Sequence, residues 1–157
     1  MILYHGTNRD FEQIDLSKSK PNKDFGRGFY LSADYNQALD MAKVKVAQLE
    51  TGSPIVLSYE ISDKAWERLR VLRFGNYSEE WAKFILLNRN NDSNSPVHDY
   101  DVVIGPIADD RVGVQLWRYE NHVIDLSTLV RNLQYMKGIT IQYFFGTELA
   151  INFLRRI

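Results

Sequence analysis

Apolar residues recur at every second position in several short runs, and these runs predict the strands of a sheet. The clearest run is Ile55, Leu57, Tyr59 and Ile61, whose spacing is that of a strand with one buried face. Shorter apolar and aromatic runs bounded by turn residues predict further strands. These strands are expected over residues 2–5, 29–31, 100–104 and 139–145.

The segments between these runs place their apolar residues at helical spacing, and several begin with a helix-capping residue. Asp34, followed three residues later by Gln37, has the pattern of a capping box and predicts a helix that ends near Gly52. Ser78 predicts the start of another helix. Further helices are expected over 63–70, 109–118, 125–133 and 147–157. Because strands and helices mix without regular alternation, we predict an α+β fold.

Length and charge indicate one ordinary globular domain that spans residues 1–157. The chain is 45% hydrophobic and 25% charged, which favours a packed core over global disorder. Its 19 basic and 20 acidic residues give a net charge of -1. The charge balance therefore offers no global electrostatic reason to bind nucleic acid, although it leaves local basic patches open.

Residue content excludes several kinds of site. Without cysteine the chain has no disulfide, thiolate metal ligand or cysteine nucleophile. The histidines His5, His98 and His122 are too scattered to suggest a metal site, so we expect no metal. The start lacks the features of a signal peptide, and no apolar run is long enough to cross a membrane. These features predict a cytoplasmic protein without a membrane partner.

Three polar or aromatic positions stand out, each with an ordinary structural explanation. Tyr30 follows the Gly26–Arg27–Gly28 loop, whose glycines free the backbone for a close approach, yet a tyrosine taken alone is more often a core residue than a stacking platform. His5 ends the first strand and is explained as a histidine satisfied by backbone groups. Gln142 lies in an apolar strand, where alternation predicts that it faces a cleft together with Phe144. Its ordinary explanation is a solvent-facing position on an edge strand.

Taken together, the segments LYHGT, GRGFYLSADYNQA and QYFFGTELA resemble the three-part signature of the ADP-ribosyltransferase superfamily. The resemblance extends over nearly the whole chain and is closest to a bacterial group with the pattern YHGT, DFGxGFYLT, YDxVxGP and QxxFxT. Members of that group often look like toxins of toxin–antitoxin pairs. The resemblance implies a split, mixed β-sheet core with flanking helices. It also implies NAD as co-substrate, nicotinamide release, a macromolecular acceptor (protein or nucleic acid) and an antitoxin protein as partner.

The resemblance also implies roles for individual residues. The backbone of Gly6 would hold the nicotinamide amide, and Tyr30 would stack on the nicotinamide ring. His5 and Thr7 would bind the adenosine-side ribose, and Gln142 the nicotinamide-side ribose. From charge and position, and not from the resemblance, we expect Arg27 or a nearby lysine to meet the pyrophosphate, which Gly28 allows to approach. The catalytic set expected from the sequence is thus His5, Tyr30 and Gln142, and the NAD-binding set is His5, Gly6, Thr7, Arg27, Gly28, Tyr30 and Gln142.

The chain departs from the superfamily pattern at its third signature position. Many members have glutamate where this chain has Gln142, and an amide cannot supply negative charge or accept a proton. Either the acceptor is already nucleophilic, or a carboxylate such as Glu148 assists, or turnover is weak. The superfamily's second stacking aromatic also has no match, since Asp40 and Met41 stand there. Two alternatives therefore stay open: an NAD glycohydrolase, and a catalytically silent module that binds NAD or ADP-ribose.

Overall fold

The computed structural model describes all residues from Met1 to Ile157 and has the α+β class that the sequence predicts. Its centre is one mixed sheet of seven strands in the order β4-β5-β6-β2-β1-β3-β7. Only β4 and β5 run parallel, and every other neighbouring pair is antiparallel. The strands are β1 (Ile2–Thr7), β2 (Phe29–Ser32), β3 (Ile55–Glu60), β4 (Val71–Arg73), β5 (Val102–Pro106), β6 (Ile141–Phe145) and β7 (Arg155–Arg156).

Five α-helices surround the sheet, and each begins after a side chain that caps it. The caps are Asp34, Ser78, Asp109, Asp125 and Thr147, and each accepts a backbone N–H from the first turn of its helix. Those starts confirm the helix starts expected from the sequence. None of the helices is long and apolar enough to span a membrane. The helices are α1 (Tyr35–Leu49), α2 (Glu79–Arg89), α3 (Asp110–Glu120), α4 (Leu126–Gln134) and α5 (Glu148–Ile151).

Two helix predictions are wrong in extent and one strand was missed; pairing between distant strands explains the C-terminal segment and the missed strand. The expected C-terminal helix stops after one turn at Ile151, since β7 instead pairs with β3 and Arg155 forms an ion pair with Glu60. The expected helix over 63–70 is only a 3₁₀ turn at Asp63–Glu67. Strand β4 was not predicted, because three residues carry no periodic pattern and the strand exists through its parallel pairing with β5.

Both faces of the sheet are covered by apolar cores. One core contains Leu3, Phe29, Leu57 and Phe145, and the other contains Phe25, Val103 and Phe144 with residues of α2, α3 and α4. The prediction that β6 turns only one face to the core is therefore wrong. Phe144 and Phe145 point to opposite faces, yet they are only 2% and 0% exposed.

The sheet opens between β1 and β2, which meet at a single registered pair, Tyr4 and Ser32. By contrast, β1 is in register with β3 along its whole length, from Ile2 to Thr7. The sheet is thus split beyond Tyr4, and the end of β1 is free to form one side of a cleft. Across the split, the Nδ1 atom of His5 lies 2.8 Å from the carbonyl oxygen of Tyr30.

Candidate functional site

A cleft of about 540 Å³ lies at the open end of β1. It lies between the loop that follows β1 and the C-terminal half of α1, and it extends to Gly28 and Phe29 at the start of β2. We call it the His5 cleft. Its polar and charged lining residues include His5, Thr7, Arg9, Asp15, Lys18, Ser19, Lys23 and Lys45. The cleft therefore contains three of the residues expected from the sequence, namely His5, Thr7 and Gly28.

The imidazole of His5 is neutral and has a defined tautomer. A carbonyl oxygen only accepts hydrogen bonds, so the contact to Tyr30 requires the proton on Nδ1. Burial lowers the pKa of His5 from 6.5 to about 4; the bond to Tyr30 opposes this change, and the nearby Lys45 and Lys23 add to it. At neutral pH the Nε2 atom is therefore an acceptor, suited to the hydroxyl of a ligand.

The charged lining of the His5 cleft is mostly basic and unpaired. Arg9, Lys18, Lys23 and Lys45 line it, and none of them forms an ion pair within the protein. The only carboxylate in the lining, Asp15, already accepts hydrogen bonds from the backbone and side chain of Ser17.

The lysines in the cleft lie close enough to affect each other. Desolvation lowers the pKa of Lys23, and repulsion from Lys45 lowers it further, although the side chain of Lys23 is partly exposed. Desolvation likewise lowers the pKa of Lys45, and the charge of Arg9 adds to the effect. The charge of Asp24 opposes the change at Lys23 only as the weakest of the causes, so a bound anion would stabilise these neighbouring cations. The cleft is therefore suited to phosphate groups.

Two glycines and a threonine shape the cleft by packing. A Cβ at Gly6 would lie 2.0 Å from the backbone oxygen of Ala38, so only glycine lets β1 pack against α1. A Cβ at Gly28 would lie 2.2 Å from the ring of Phe144. The hydroxyl of Thr7 donates to the backbone oxygen of Arg9 at 3.1 Å, which fixes the turn after β1. That hydroxyl also accepts the backbone N–H of Arg9, at 3.5 Å.

Tyr30 lies beside the His5 cleft, half-buried, on the opposite face of the sheet. Its hydroxyl donates to the carbonyl of Gly26 at 2.7 Å and accepts the backbone N–H of Phe25 at 3.1 Å. Burial raises the pKa of the phenol well above its ordinary value. The ring packs against Phe144, and the Nζ atom of Lys23 lies 5.2 Å from the ring centroid. Lys23 therefore connects the ring of Tyr30 with the cleft.

Gln142 lies in the middle of the sheet, in register with Ser32 of β2 and Gly105 of β5. Its Nε2 atom is buried and has no hydrogen-bond partner. The register puts Gln142 on the same sheet face as Tyr30, whereas His5 lies on the other face. The side chain of His5 therefore bonds the backbone carbonyl of Tyr30. The side chains of His5, Tyr30 and Gln142, however, do not lie together in one cleft.

Arg27 lines a different pocket, of about 340 Å³, which we call the Arg27 pocket. Its Nη2 atom lies 3.4 Å from the side-chain oxygen of Asn94, and its Nε atom is buried without a partner. Arg70 in this pocket pairs with Asp99. The imidazole of His98 is held by the carbonyl of Phe25 and the backbone N–H of Tyr100. The other lining residues include Gly26, Asn88, Asn91, Asp99 and Thr147.

Arg9 and Lys45 are the cleft residues that sequence reasoning missed. Lys45 carries a detectable signal, since the buried residues of α1 are Ala38 and Ala42 and Lys45 follows Ala42 by three positions. A lysine on the packed face of a helix lies near the strands and loops against which that face packs. Arg9 carries no such signal, because only the turn at Thr7 places it in the cleft.

Comparison with protein families gives one match, and it covers residues 1–155. Comparison with curated proteins and with solved structures gives no match. Because the matching family model spans almost the entire chain, the protein belongs to the family described as "Protein of unknown function (DUF3990)".

Proposed function

We propose that this protein is an NAD-dependent ADP-ribosyltransferase that binds NAD in the His5 cleft and transfers ADP-ribose to a macromolecule. The main support is the neutral His5, whose free Nε2 acceptor lies in a cleft lined by four unpaired cations. A ligand with ribose hydroxyls next to a diphosphate fits both features. NAD has this arrangement, and the resemblance to ADP-ribosyltransferases points to the same ligand.

The ADP-ribose portion of NAD would be held by residues on both sides of the cleft. His5 would accept a hydrogen bond from the adenosine-side ribose, with Thr7 beside it. Lys23 and Lys45 would meet the diphosphate, because both side chains line the cleft and lie close enough to repel each other. The phosphate contact is thereby assigned to lysines of the cleft rather than to Arg27, which lines the other pocket.

The nicotinamide end would use the ring of Tyr30. The ammonium of Lys23 lies over that ring, 5.2 Å from its centroid, and this cation–π contact supports a role for the ring in binding a cation. The nicotinamide ring of NAD is itself a cation, so stacking would replace Lys23 and release its ammonium toward the diphosphate. Gly6 would hold the nicotinamide amide through its backbone. In this proposal the binding of nicotinamide to Tyr30 frees Lys23 to contact the diphosphate.

The reaction breaks the bond between nicotinamide and ribose, and positive charge builds on the sugar as in other glycosidic cleavages. The electron pair of the broken bond leaves with nicotinamide, and an acceptor nucleophile forms the new bond to the ribose. Gln142 would orient the sugar through its amide but cannot oppose the positive charge. The acceptor must therefore already be nucleophilic without activation, or be assisted by the exposed Glu148.

A second candidate is a module that binds NAD or ADP-ribose without turnover. It is favoured by the positions of Tyr30 and Gln142 on the sheet face opposite His5 and by the lack of a free carboxylate in the cleft. A third, the NAD glycohydrolase, differs from the transferase only in using water as the acceptor.

These functions are separated by nicotinamide release measured with and without cell lysate, using NAD labelled in its adenosine part. The transferase predicts label on a macromolecule, and nuclease and protease digestion identify which kind. Release without an acceptor indicates the glycohydrolase, and NAD binding without release indicates the silent module. If calorimetry detects binding of neither NAD nor ADP-ribose, all three functions are contradicted.

Variants at Gln142 test its proposed role in orienting the ribose. Gln142→Ala should lower turnover about 10-fold to 100-fold, since a lost hydrogen bond with a stranded buried partner costs roughly 1–3 kcal/mol. Gln142→Glu should raise hydrolysis if the native site lacks only charge. Gln134→Ala, at an exposed position of α4, is the matched control. Wild-type turnover in folded Gln142→Ala contradicts the role.

A further inference from the structure

The Arg27 pocket contains an arginine whose hydrogen-bond donors are largely unused. The Nε atom of Arg27 is buried without a hydrogen-bond partner, and the guanidinium forms no ion pair. Its only side-chain hydrogen bond is the long one, 3.4 Å, to the side-chain oxygen of Asn94. An arginine in this state offers a fork of N–H donors that fits two adjacent acceptors of a ligand.

Asn88 supplies an unused acceptor in the same pocket. The residue lines the pocket although it is only 1% exposed. Its amide nitrogen donates to the backbone oxygen of Phe84 at 2.8 Å, while its Oδ1 atom has no partner in the protein. A Cβ at Gly26 would lie 3.0 Å from that oxygen, which therefore faces the loop that carries Arg27. The oxygen is available to a donor group of a ligand.

Aromatic rings form another part of the pocket wall. The ring centroid of His98 lies 5.8 Å from that of Tyr100 and 5.7 Å from that of Phe144, and all three residues line the pocket. His98 is neutral, because its Nε2 donates to the carbonyl of Phe25 and its Nδ1 accepts the backbone N–H of Tyr100. With a volume of about 340 Å³, the pocket is suited to one planar, polar group with aromatic neighbours.

The Arg27 pocket lies beside the proposed reaction centre. Phe144 of the pocket packs against the ring of Tyr30, with 5.3 Å between the centroids, and the carbonyl of Gly26 accepts the hydroxyl of Tyr30. The register puts Phe144 on the same sheet face as Tyr30 and Gln142. A group bound in the pocket would therefore approach the nicotinamide end of NAD, where an acceptor must attack.

We infer that the Arg27 pocket binds a guanine base of single-stranded nucleic acid as the acceptor of ADP-ribose. Guanine has two adjacent acceptors, O6 and N7, which arginine binds bidentately. Its other edge carries N–H donors, which suit the unused oxygen of Asn88. A single strand is required, because a base must leave its stack to enter a pocket. The role as acceptor rests on the proposed function, which supplies the ADP-ribose.

The transfer step needs no reactant besides NAD and the base. The amino nitrogen of guanine forms the new bond to the ribose carbon, because Arg27 covers N7. Nicotinamide leaves with the electron pair of the bond that breaks, and the proton displaced from the amino group passes to solvent. The net charge of -1 is compatible with this acceptor, since contacts to the base edge rather than to phosphates give the specificity.

Calorimetric titration with short single-stranded DNA tests the site, with ADP-ribose present at saturation. The probes are thymine strands with one central guanine, adenine or 7-deazaguanine, the last of which lacks the N7 acceptor. The guanine strand should bind about tenfold more tightly than the adenine strand and about fivefold more tightly than the 7-deazaguanine strand. Because the deaza strand probes the wild-type protein, the comparison does not depend on the folding of a variant.

Arg27→Gln should bind the three strands with nearly equal affinity, whereas Arg131→Gln should keep the wild-type preference. Arg131 is the matched control, since it is exposed on α4, forms no ion pair and does not line the pocket. An undiminished preference in folded Arg27→Gln would contradict the site. Binding of the guanine strand that ADP-ribose abolishes would put the strand in the His5 cleft and would also contradict it.

The outcomes separate the guanine site from the proposed function. Equal binding of the three strands, together with binding of ADP-ribose, would overturn the guanine site and leave the NAD-dependent function standing. A guanine preference without binding of ADP-ribose or NAD would overturn the proposed function and the acceptor role. Tighter binding of a glutamate-rich peptide would assign Arg27 to a carboxylate and overturn the guanine site. With NAD present, mass spectrometry should find ADP-ribose on the guanine strand only, and an unmodified strand would overturn the acceptor role.

Discussion

The His5 cleft and the Arg27 pocket are built from similar residue types, but they differ in how their charges are partnered. In the Arg27 pocket Arg70 pairs with Asp99, and His98 uses both ring nitrogens in hydrogen bonds to the backbone, so that Arg27 is the single basic side chain there without an ion pair. In the His5 cleft the basic side chains have no acidic partner, and His5 keeps its Nε2 atom free for a ligand.

The difference teaches that the content of basic residues does not identify a binding site, whereas a cluster of several unpaired basic side chains does. A paired arginine forms its hydrogen bonds within the protein and contributes to the stability of the fold. An unpaired, desolvated lysine costs stability in the free protein, and a ligand anion recovers that cost on binding. The predictions below test this distinction between the two regions.

The largest effect is expected from Gly6→Ala, which would separate the two sides of the His5 cleft. The new Cβ would clash with the backbone of Ala38, and backbone of a packed helix cannot move aside without disrupting its packing. We expect a loss of about 3 kcal/mol in the free energy of unfolding, measured by urea denaturation. Gly113→Ala is the control, because its Cβ meets nothing within 4 Å, and it should stabilise α3 slightly. Equal stability of both variants would show that β1 and α1 do not define the cleft.

The second effect concerns the pH dependence of stability that His5 contributes. Its folded-state pKa of about 4 lies below the ordinary value of 6.5, so between these values only the unfolded chain binds the proton. Stability should be complete above pH 6.5 and fall as the pH decreases toward 4, by roughly 3 kcal/mol at most.

Carboxylates also titrate near pH 4, so the wild-type pH dependence alone does not isolate the contribution of His5. Measuring the unfolding of His5→Gln over the same pH range does isolate it. The variant should have a shallower slope between pH 6.5 and 4 than the wild type. His122→Asn is the control: His122 is exposed and has a φ of 58°, a backbone conformation that asparagine tolerates. Identical slopes in wild type and His5→Gln would contradict the neutral His5 on which the cleft depends.

The smallest effect is expected from removing one cation in each region. Lys45→Met should raise the free energy of unfolding by about 0.5–1 kcal/mol at low salt, because it removes an unpaired, crowded charge. Arg70→Met should lower it by up to about 1 kcal/mol, since its ion pairs are partly exposed and therefore weak. Thermal unfolding at two salt concentrations measures both changes. The same sign in both variants would remove the distinction between the regions.

Local signals in the sequence are sufficient to predict the α+β class, the helix starts and most strands. Asp34, Ser78 and Thr147 each bond a backbone N–H of the helix that follows, so the relevant physics lies within three residues. By contrast, β7 depends on pairing with Tyr59 and Glu60, almost a hundred residues earlier in the chain. Such pairing has no local signature.

Prediction of the site from the sequence is limited in the same way. His5, Thr7 and Gly28 were expected to act together, and the structure does place them in one cleft. Sequence alone did not reveal that Arg27 lies in the other pocket or that Lys45 completes the cleft, because both facts depend on how segments distant in sequence pack together. Whether a charge is paired is likewise a property of the folded chain.

The central claim is that the unpaired cations of the His5 cleft bind the phosphates of the ligand. Titration calorimetry with ADP-ribose tests it most directly, using wild type, Lys45→Gln and the matched variant Arg70→Gln. We predict that Lys45→Gln weakens binding about tenfold and flattens its salt dependence, whereas Arg70→Gln binds as the wild type does. Unchanged affinity in Lys45→Gln together with a loss in Arg70→Gln would place the anion in the Arg27 pocket and contradict the account.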